Sequence, residues 1–548
     1  MIKLPIGIDD FSIANETYYV DKTLIIKDLI DSNIGKSILI KRPRRFGKSL
    51  TLSMIDYYFD IEKDSKKLFN DKLISKEDNK YKNYLNNYPV IHINMKNLSA
   101  ESKESLISQT IDLISKIYRK YLFLLDDNLL DIEKKEFNEI LDKTNDDIYS
   151  YTTALKNLSS LLEKHYNKKV IILIDEYDTP LDIAFQKKYY DEVILFFKKL
   201  YSATLKDNSS LLFSIVTGVL EVAKESIFSD LNNLNVLSVL NKNFSSYFGF
   251  TKEEVIKLLT DFNLKIDIKE IEKWYGGYGT NIEIYNPWSV LNLISNEMFD
   301  QYWVNTGSNN TLIELIGQIP NSIKMLNEAI NNKSAIFRIN NSITYKDVYN
   351  NFNALISYLV QTGYIVAKPL DIYGNYYLIL PNLEISYTFE REIISRGINE
   401  EQYNLAKSLK NAILNSDISL ISDLLKKYVL SSYSYYELNR EKDYQVMLVG
   451  ILAVLFENYI VKSEVIGQKG RCDILISPKN EDNGIVIELK KYKGRVASSR
   501  LKKFAEEALN QIIDKEYYLE LKKKDVKNIL LYSFIFDDNN VEILSKKI

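Results

Sequence analysis

The sequence predicts a multidomain α/β protein with a parallel sheet in the first 250 residues, a mainly helical middle region, and a C-terminal αβββαβ unit. Three observations carry this expectation. The chain has 548 residues, more than one hydrophobic core organises. Short apolar runs alternate with helical periodicity through the N-terminal part, as for strands covered on both faces of a parallel sheet. From Ser431 onward the order of elements changes to helix, three strands, helix, strand. The expected domains are therefore 1–250, 251–430 and 431–548.

In chain order, Tyr18 to Thr23 leads into a helical pattern through Leu24, Ile25, Leu29 and Ile30. Ser37–Ile40 is a short buried strand, and Tyr88–Met95 is a second with Pro89 near its start. Helical periodicity dominates Ser105–Lys164. Lys169–Ile174 is a strand running into Asp175-Glu176, and Leu211–Val216 is another running into Thr217-Gly218. Strands alternating with helices place ligands at the strands' carboxyl ends. Residues 251–430 are mainly helical, with a β insertion at Tyr364–Leu380 and aromatic turns at Trp274–Tyr278 and Tyr285–Trp288. The last unit reads as helix Glu441–Asn458, strands Tyr459–Ile466, Arg471–Ser477 and Gly484–Leu489, helix Ser498–Lys515, and strand Asn528–Phe536. That order is the expected core of a restriction-endonuclease-like fold.

Composition narrows the chemistry. The lone cysteine, Cys472, excludes an internal disulfide framework and a Cys-rich zinc site. Only His92 and His165 are present, far apart, so any metal is expected on carboxylates. Cys472 is expected to pack as a small strand residue, and the two histidines to be structural or surface residues. The start at Met1 lacks the apolar core of a secretion signal, and no run of about 18 apolar residues marks a membrane span. A cytoplasmic location is expected. A net charge of −3 gives no global attraction to nucleic acid, but local patches decide docking. One such patch holds Lys490, Lys491, Lys493, Arg495, Arg500, Lys502 and Lys503. A charge run is more often a solvated face than a binding surface, but this one follows directly on a candidate catalytic strand.

The N-terminal candidate site is Lys41 to Ser49, between an apolar strand and the helical pattern Leu50–Phe59. A phosphate-binding loop needs converging backbone N–H groups, a lysine for charge and a hydroxyl for magnesium. Gly47, Lys48 and Ser49 supply its second half. The first glycine of the usual spacing is replaced by Arg42. This is the pattern of a P-loop NTPase domain. Asp175 is placed to hold Mg²⁺ through water, Glu176 to activate the attacking water, and Thr217 to sense the γ-phosphate. Arg44 and Arg45 are placed to stabilise charge developing on the phosphates. ATP and Mg²⁺ are the expected ligands, with Ser49 and Asp175 on the metal.

The C-terminal candidate site is Asp473 followed by Glu488-Leu489-Lys490. Metal-dependent phosphodiester cleavage needs carboxylates to hold Mg²⁺ and a lysine near the attacking water. Glu488 and Lys490, two apart on a strand, share a face, while Leu489 points into the core. Asp473 and Glu488 are the expected metal ligands. Glu464 on the first strand and Glu441 on the preceding helix are expected to complete the acidic cluster.

The motifs Pro5-Ile6-Gly7 with Asp10-Phe11, Tyr19-Val20-Asp21-Lys22-Thr23, Arg42-Pro43-Arg44-Arg45-Phe46-Gly47-Lys48-Ser49 and Asp175–Pro180 resemble those of the bacterial AAA-ATPase-like family. So do Phe228-Ser229, Leu231–Leu234 and Tyr285–Ser289. The resemblance covers nearly the whole chain and implies a PD-(D/E)XK nuclease-superfamily domain at its C-terminus, in which Gln511 matches a helix glutamine often seen in that superfamily and is expected to touch a backbone phosphate. It also makes the Arg-Pro-Arg-Arg-Phe loop normal. The chain departs from the family pattern at Leu220-Glu221, where Ser-Arg is common; any role of that Arg is either lost here or taken by Lys224. It departs again at Tyr444-Gln445, where Tyr-His is common.

The expected function is ATP binding and hydrolysis coupled to a Mg²⁺-dependent nuclease-like domain acting on DNA, with homo-oligomerisation left open and no membrane partner. The alternative is a nucleotide-dependent switch whose C-terminal fold binds nucleic acid or protein without cutting. A third reading keeps ATP hydrolysis and uses the helical middle region to recognise a protein.

Overall fold

The computed structural model describes residues 3–31, 36–127, 129–206, 208–220, 234–241, 244–279, 282–303, 315–316, 319, 322–331, 335–343, 347–348, 351–389, 400–426, 441–456, 459–467, 470–478, 483–524, 526–538 and 540–548. They gather into two compact units, Met1–Ser386 and Tyr387–Ile548. Helices Glu400–Asn415 and Ile418–Leu425, in sequence part of the helical middle, lie in the second unit, where they pack on its sheet.

Five parallel strands form the sheet of the first unit: β1 (Ser37–Lys41), β2 (Val90–Asn94), β3 (Val170–Asp175), β4 (Leu211–Gly218) and β5 (Leu234–Leu237). Their order is β2-β3-β4-β1-β5. All six residues of β3 are buried, which is why it reads as an unbroken apolar run. One face packs on helix Lys48–Phe59 through Ile38, Ile40, Ile171, Leu173 and Ile215. Because β4 lies between β3 and β1, the carboxyl ends of these three strands stand side by side, where an open parallel sheet binds its ligands. Two small antiparallel ladders follow. β6 (Phe250–Thr251) pairs with β7 (Ile284–Tyr285), and β8 (Val366–Pro369) pairs with β9 (Tyr376–Ile379). The second ladder is the β insertion expected at Tyr364–Leu380.

The second unit contains β10 (Tyr459–Gly467), β11 (Gly470–Pro478), β12 (Asn483–Lys491), β13 (Asn528–Phe536) and β14 (Val541–Lys547), neighbours in that order. Only the β12–β13 pair is parallel. Helix Ser498–Asp514 supplies the crossover such a pair requires. Alternation along β12 sends Ile485, Ile487 and Leu489 into a core with Leu448 and Leu452 of helix Glu441–Leu455. Val486 enters a second core with Ile512 and Leu521. Period two then puts Glu488 and Lys490 on the face of Val486. The expected αβββαβ order is present, extended by the edge strand β14.

Gly218 ends β4 against the turn after β3. A Cβ there would lie 2.6 Å from Tyr177 Cε1 and 2.7 Å from Asp178 Oδ1. Gly218→Ala should therefore cost about 2 kcal/mol of stability, read as a lowered thermal midpoint. An unchanged midpoint would mean that the turn is not held by this contact.

Candidate functional site

The candidate phosphate-binding loop joins β1 to helix Lys48–Phe59, and Gly47 caps the helix at φ +81°. Arg45 also lies in the left-handed region, at φ +67°, which costs a residue with a Cβ on the order of 1 kcal/mol. At the first-glycine position, Arg42 turns its guanidinium away from the loop. It donates to Lys41 O at 2.8 Å and to Leu237 O at 2.9 Å, and burial lowers its pKa to about 10. Lys48 is buried and donates from Nζ to the Arg42 and Pro43 carbonyls, both at 2.9 Å. Burial holds it below the usual lysine range, opposed by the charges of Glu176, Asp178 and Asp175. Ser49 follows, half-buried, at the helix start, where backbone N–H groups lack helical acceptors.

The carboxylates come from the turn after β3. Asp175 is fully buried. Its Oδ1 accepts from Thr217 Oγ1 at 2.5 Å and its Oδ2 from Asn94 Nδ2 at 3.0 Å. Glu176 adopts φ +53°, and its N–H donates to Thr217 Oγ1 at 3.4 Å. Burial raises the Glu176 carboxyl above the usual range. Asp178 Oδ2 accepts the N–H groups of Val219 and Leu220 at 2.8 and 2.9 Å, which ties the chain leaving β4 to the β3 turn. Arg44 is exposed and paired with Asp182 at 3.6 Å, while the Arg45 guanidinium lies 4.4 Å from the centre of the Trp288 ring. Lys48, Asp175, Glu176 and Thr217 thus share one site, with Gly47 and Ser49 at its rim. Glu221, Lys224, Phe228-Ser229 and Leu231–Asn233 lie outside the described residues.

In the second unit, the β11–β12 ladder registers Ile474 with Ile487 and then stops. The next position, Asp473, offers its side chain in place of its backbone, and Oδ2 accepts the Leu489 N–H at 2.7 Å. Gln445 Nε2 donates to the Asp473 carbonyl at 3.0 Å. Glu488 is 1% exposed. Its Oε1 accepts from Gln511 Nε2 at 2.6 Å and from Lys490 Nζ at 3.2 Å. Its Oε2 is buried without a hydrogen-bond partner. Burial, then the charge of Asp473, pushes the Glu488 pKa up to about 7. Asp473 is also raised by burial, against the Leu489 N–H and Lys490. Burial alone would lower Lys490, but Glu488, Asp473 and Glu441 outweigh it and hold the ammonium above its usual range.

Glu441 Oε1 lies 3.5 Å from Lys490 Nζ, so the helix acid joins this cluster. Glu464 sits at φ +51° between the registered pairs Ser463–Ile474 and Val465–Cys472, hence across from Asp473. Its carboxylate is paired with Arg471 at 2.6 Å and is partly exposed. Gln511, expected on phosphate, is engaged with Glu488. Of the basic run, Lys491 is buried against Asp538 at 2.5 Å, whereas Lys493, Arg495, Arg500, Lys502 and Lys503 are exposed. Cys472 packs in the core with Val486 and Ile512. His92 and His165 pair through Nδ1 with Asp56 and Asp127, at 2.8 and 2.6 Å.

Asp473 and Glu488 fit a hard cation, because the unpartnered buried Oε2 has a strong acceptor with nothing to satisfy it. Among the described residues no three His, Cys, Asp or Glu side chains stand close enough to hold a metal by themselves. Mg²⁺ commonly needs only one or two protein carboxylates, taking waters and phosphate oxygens as its other ligands. Sequence reasoning missed Asn94, which the pairing of β2 with β3 brings beside Asp175, and met Gln445 only as the residue that replaces the family's common His. Neither pairing, across 81 and 28 residues, leaves a local signal.

Two family models match this chain. One, described as a predicted AAA-ATPase, covers residues 5–228. The other, the PD-(D/E)XK nuclease superfamily, covers residues 439–546. The chain therefore carries an AAA-ATPase-like domain at its N-terminus and a PD-(D/E)XK nuclease-superfamily domain at its C-terminus. A curated relative, an uncharacterized protein in the vnfD 5' region of Azotobacter chroococcum mcd 1, is 26% identical over 412 residues, covering 73% of this chain and 71% of that protein. No described helix is long and apolar enough to cross a membrane.

The raised pKa of Glu488 makes stability depend on pH. The unfolded carboxyl ionises near its ordinary value, while the folded one ionises only near pH 7. Stability is therefore lost as pH rises through that window, and the full penalty applies above it. Glu488→Gln should stabilise the metal-free protein by about 1–2 kcal/mol at pH 8 and by little at pH 4. Thermal unfolding at both pH values checks this. An equal effect at both would rule out ionisation as the cause.

Proposed function

We propose that the protein binds and hydrolyses ATP in its first unit and cleaves DNA with Mg²⁺ in its second, nucleotide turnover governing the cleavage. The observation that carries the reading is the buried, unpartnered Glu488 Oε2 beside Asp473 and Lys490. A structural strand end would have no reason to keep an unsatisfied carboxylate oxygen among charged neighbours.

In the ATPase, Lys48 balances phosphate charge, and Thr217 orients Asp175. Ser49 and Asp175 would hold Mg²⁺, the latter through water because both its oxygens are engaged. Burial raises the pKa of Glu176, which makes its carboxylate a stronger acceptor of a proton from water. In the nuclease, Mg²⁺ held by Asp473 and Glu488 would supply Lewis acidity and a more acidic bound water. Lys490 stays protonated and opposes negative charge on the scissile phosphate. Gln511 orients Glu488, and Gln445 fixes the strand at Asp473. Five exposed cations from Lys493 to Lys503 offer contacts to a nucleic-acid backbone.

A second reading, in which the C-terminal fold binds nucleic acid or protein without cutting, is favoured by the lack of a three-ligand cluster among the described residues. Cleavage of linear, circular and single-stranded DNA with and without ATP separates the two. Lys490→Ala and Asp473→Ala should lower cleavage at least about 100-fold while leaving ATP turnover within about twofold. No cleavage by the wild type, with ATP turnover intact, would select the second reading. Lys48→Ala should abolish ATP turnover, and Glu176→Gln should retain bound ATP while slowing hydrolysis by about 100-fold or more. Unchanged hydrolysis in Lys48→Ala would sink the phosphate-loop assignment.

A further inference from the structure

The phosphate-binding loop is held by residues distant in sequence. Trp303 Nε1 donates to the Arg44 carbonyl at 2.9 Å, and Trp288 lies under the Arg45 guanidinium. Tyr278 packs edge-on against Phe46 at 4.9 Å between ring centres. Pro43 sits so close to Gly363 that a Cβ on the glycine would lie 2.7 Å from Pro43 Cγ. A loop with glycines at its bends adopts left-handed backbone freely. Here Arg45 does so without that freedom, and such a conformation persists only where the surroundings over-determine it.

The two tryptophans share one anchor. Glu384 is fully buried, and its Oε1 accepts the main-chain N–H of Trp303 at 2.6 Å. Its Oε2 accepts from Ser289 Oγ at 2.8 Å, one residue after Trp288. Trp288 Nε1 in turn donates to the Tyr302 carbonyl at 3.1 Å, which closes a ring of contacts from Glu384 through the Trp303 main chain and the Trp288 indole, leaving the Trp303 indole for the Arg44 carbonyl. None of these groups reaches the place where phosphates would lie. Their action on nucleotide is through the loop backbone.

We infer that Glu384 is a positioning residue for nucleotide binding, holding Arg44 and Arg45 through Trp303 and Trp288 in the loop conformation that receives the phosphates. This rests on the ATP reading of the loop. Loop geometry serves bound substrate and transition state alike, so its loss is read in KM more than in kcat. Glutamine can replace the glutamate, because its amide oxygen accepts the Trp303 N–H and its NH₂ donates to the Ser289 hydroxyl, which also accepts.

The test is steady-state ATP hydrolysis by the full chain carrying Trp303→Phe, Glu384→Leu, Glu384→Gln or both Trp303→Phe and Glu384→Leu. Tyr275→Phe is the control. It removes the Tyr275 hydroxyl's bond to Asp300 O from the same region without touching the loop. Trp303→Phe and Glu384→Leu should each raise KM for ATP at least about fivefold with kcat within about twofold. Glu384→Gln should stay within about twofold of wild type, and the double variant should not exceed the larger single effect by more than about twofold. Trp303→Phe keeps an aromatic ring and the main-chain bond, so it reports even where Glu384→Leu fails to fold. An unchanged KM in Trp303→Phe, a KM raised equally in Tyr275→Phe, or a Glu384→Gln as impaired as Glu384→Leu would each overturn the inference. A wild type without Lys48-dependent turnover would instead overturn the ATP reading, and this inference with it.

Discussion

The first unit depends on one close approach, the carboxyl end of β4 against the turn that follows β3. Gly218 leaves no room for a side chain there, and Asp178 fixes the chain beyond it by accepting two consecutive N–H groups. With those strands pinned, Thr217 meets Asp175 and the N–H of Glu176. Lys48, arriving from the helix after β1, faces three carboxylates that offset the cost of burying its charge. None of these groups would be placed if β4 could slide by one residue, since a one-residue slip turns every side chain to the other face.

The second unit solves a similar problem by interrupting a ladder. Where β11 stops pairing with β12, the Asp473 carboxylate takes the N–H that a strand partner would have taken. Irregular pairing of this kind re-aims a side chain at the point where a sheet would otherwise bury or expose it regularly. The result is a buried glutamate and a half-buried aspartate held beside a lysine, an arrangement costly for stability and suited to binding a cation.

Much of the fold was legible because its strands are extreme in character. β3 is apolar from Val170 to Ile174 and ends at Asp175, with Glu176 next, and β12 carries its alternation into Glu488-Leu489-Lys490. β5 and β14 were not legible. The first is four residues, Leu234–Leu237, and the second is an edge strand ending in Ser545-Lys546-Lys547 whose buried face shows only at Val541 and Ile543. Motif spacing marked the candidate residues at both sites. The groups that orient them, Asn94, Gln445, Gln511 on Glu488, and Glu384 with its tryptophans, meet their partners across 23 to 259 residues. No local pattern records such pairings.

The chain contains three tryptophans, and two of them, Trp288 and Trp303, touch the loop from Arg42 to Ser49. Indole emission responds to a nearby cation and to the loss of a hydrogen bond at Nε1. The protein thus carries its own optical probe, set against the backbone of a single loop, with only Trp274 as background. Movements of that loop are open to observation without labels, in the full chain and on the timescale at which they occur.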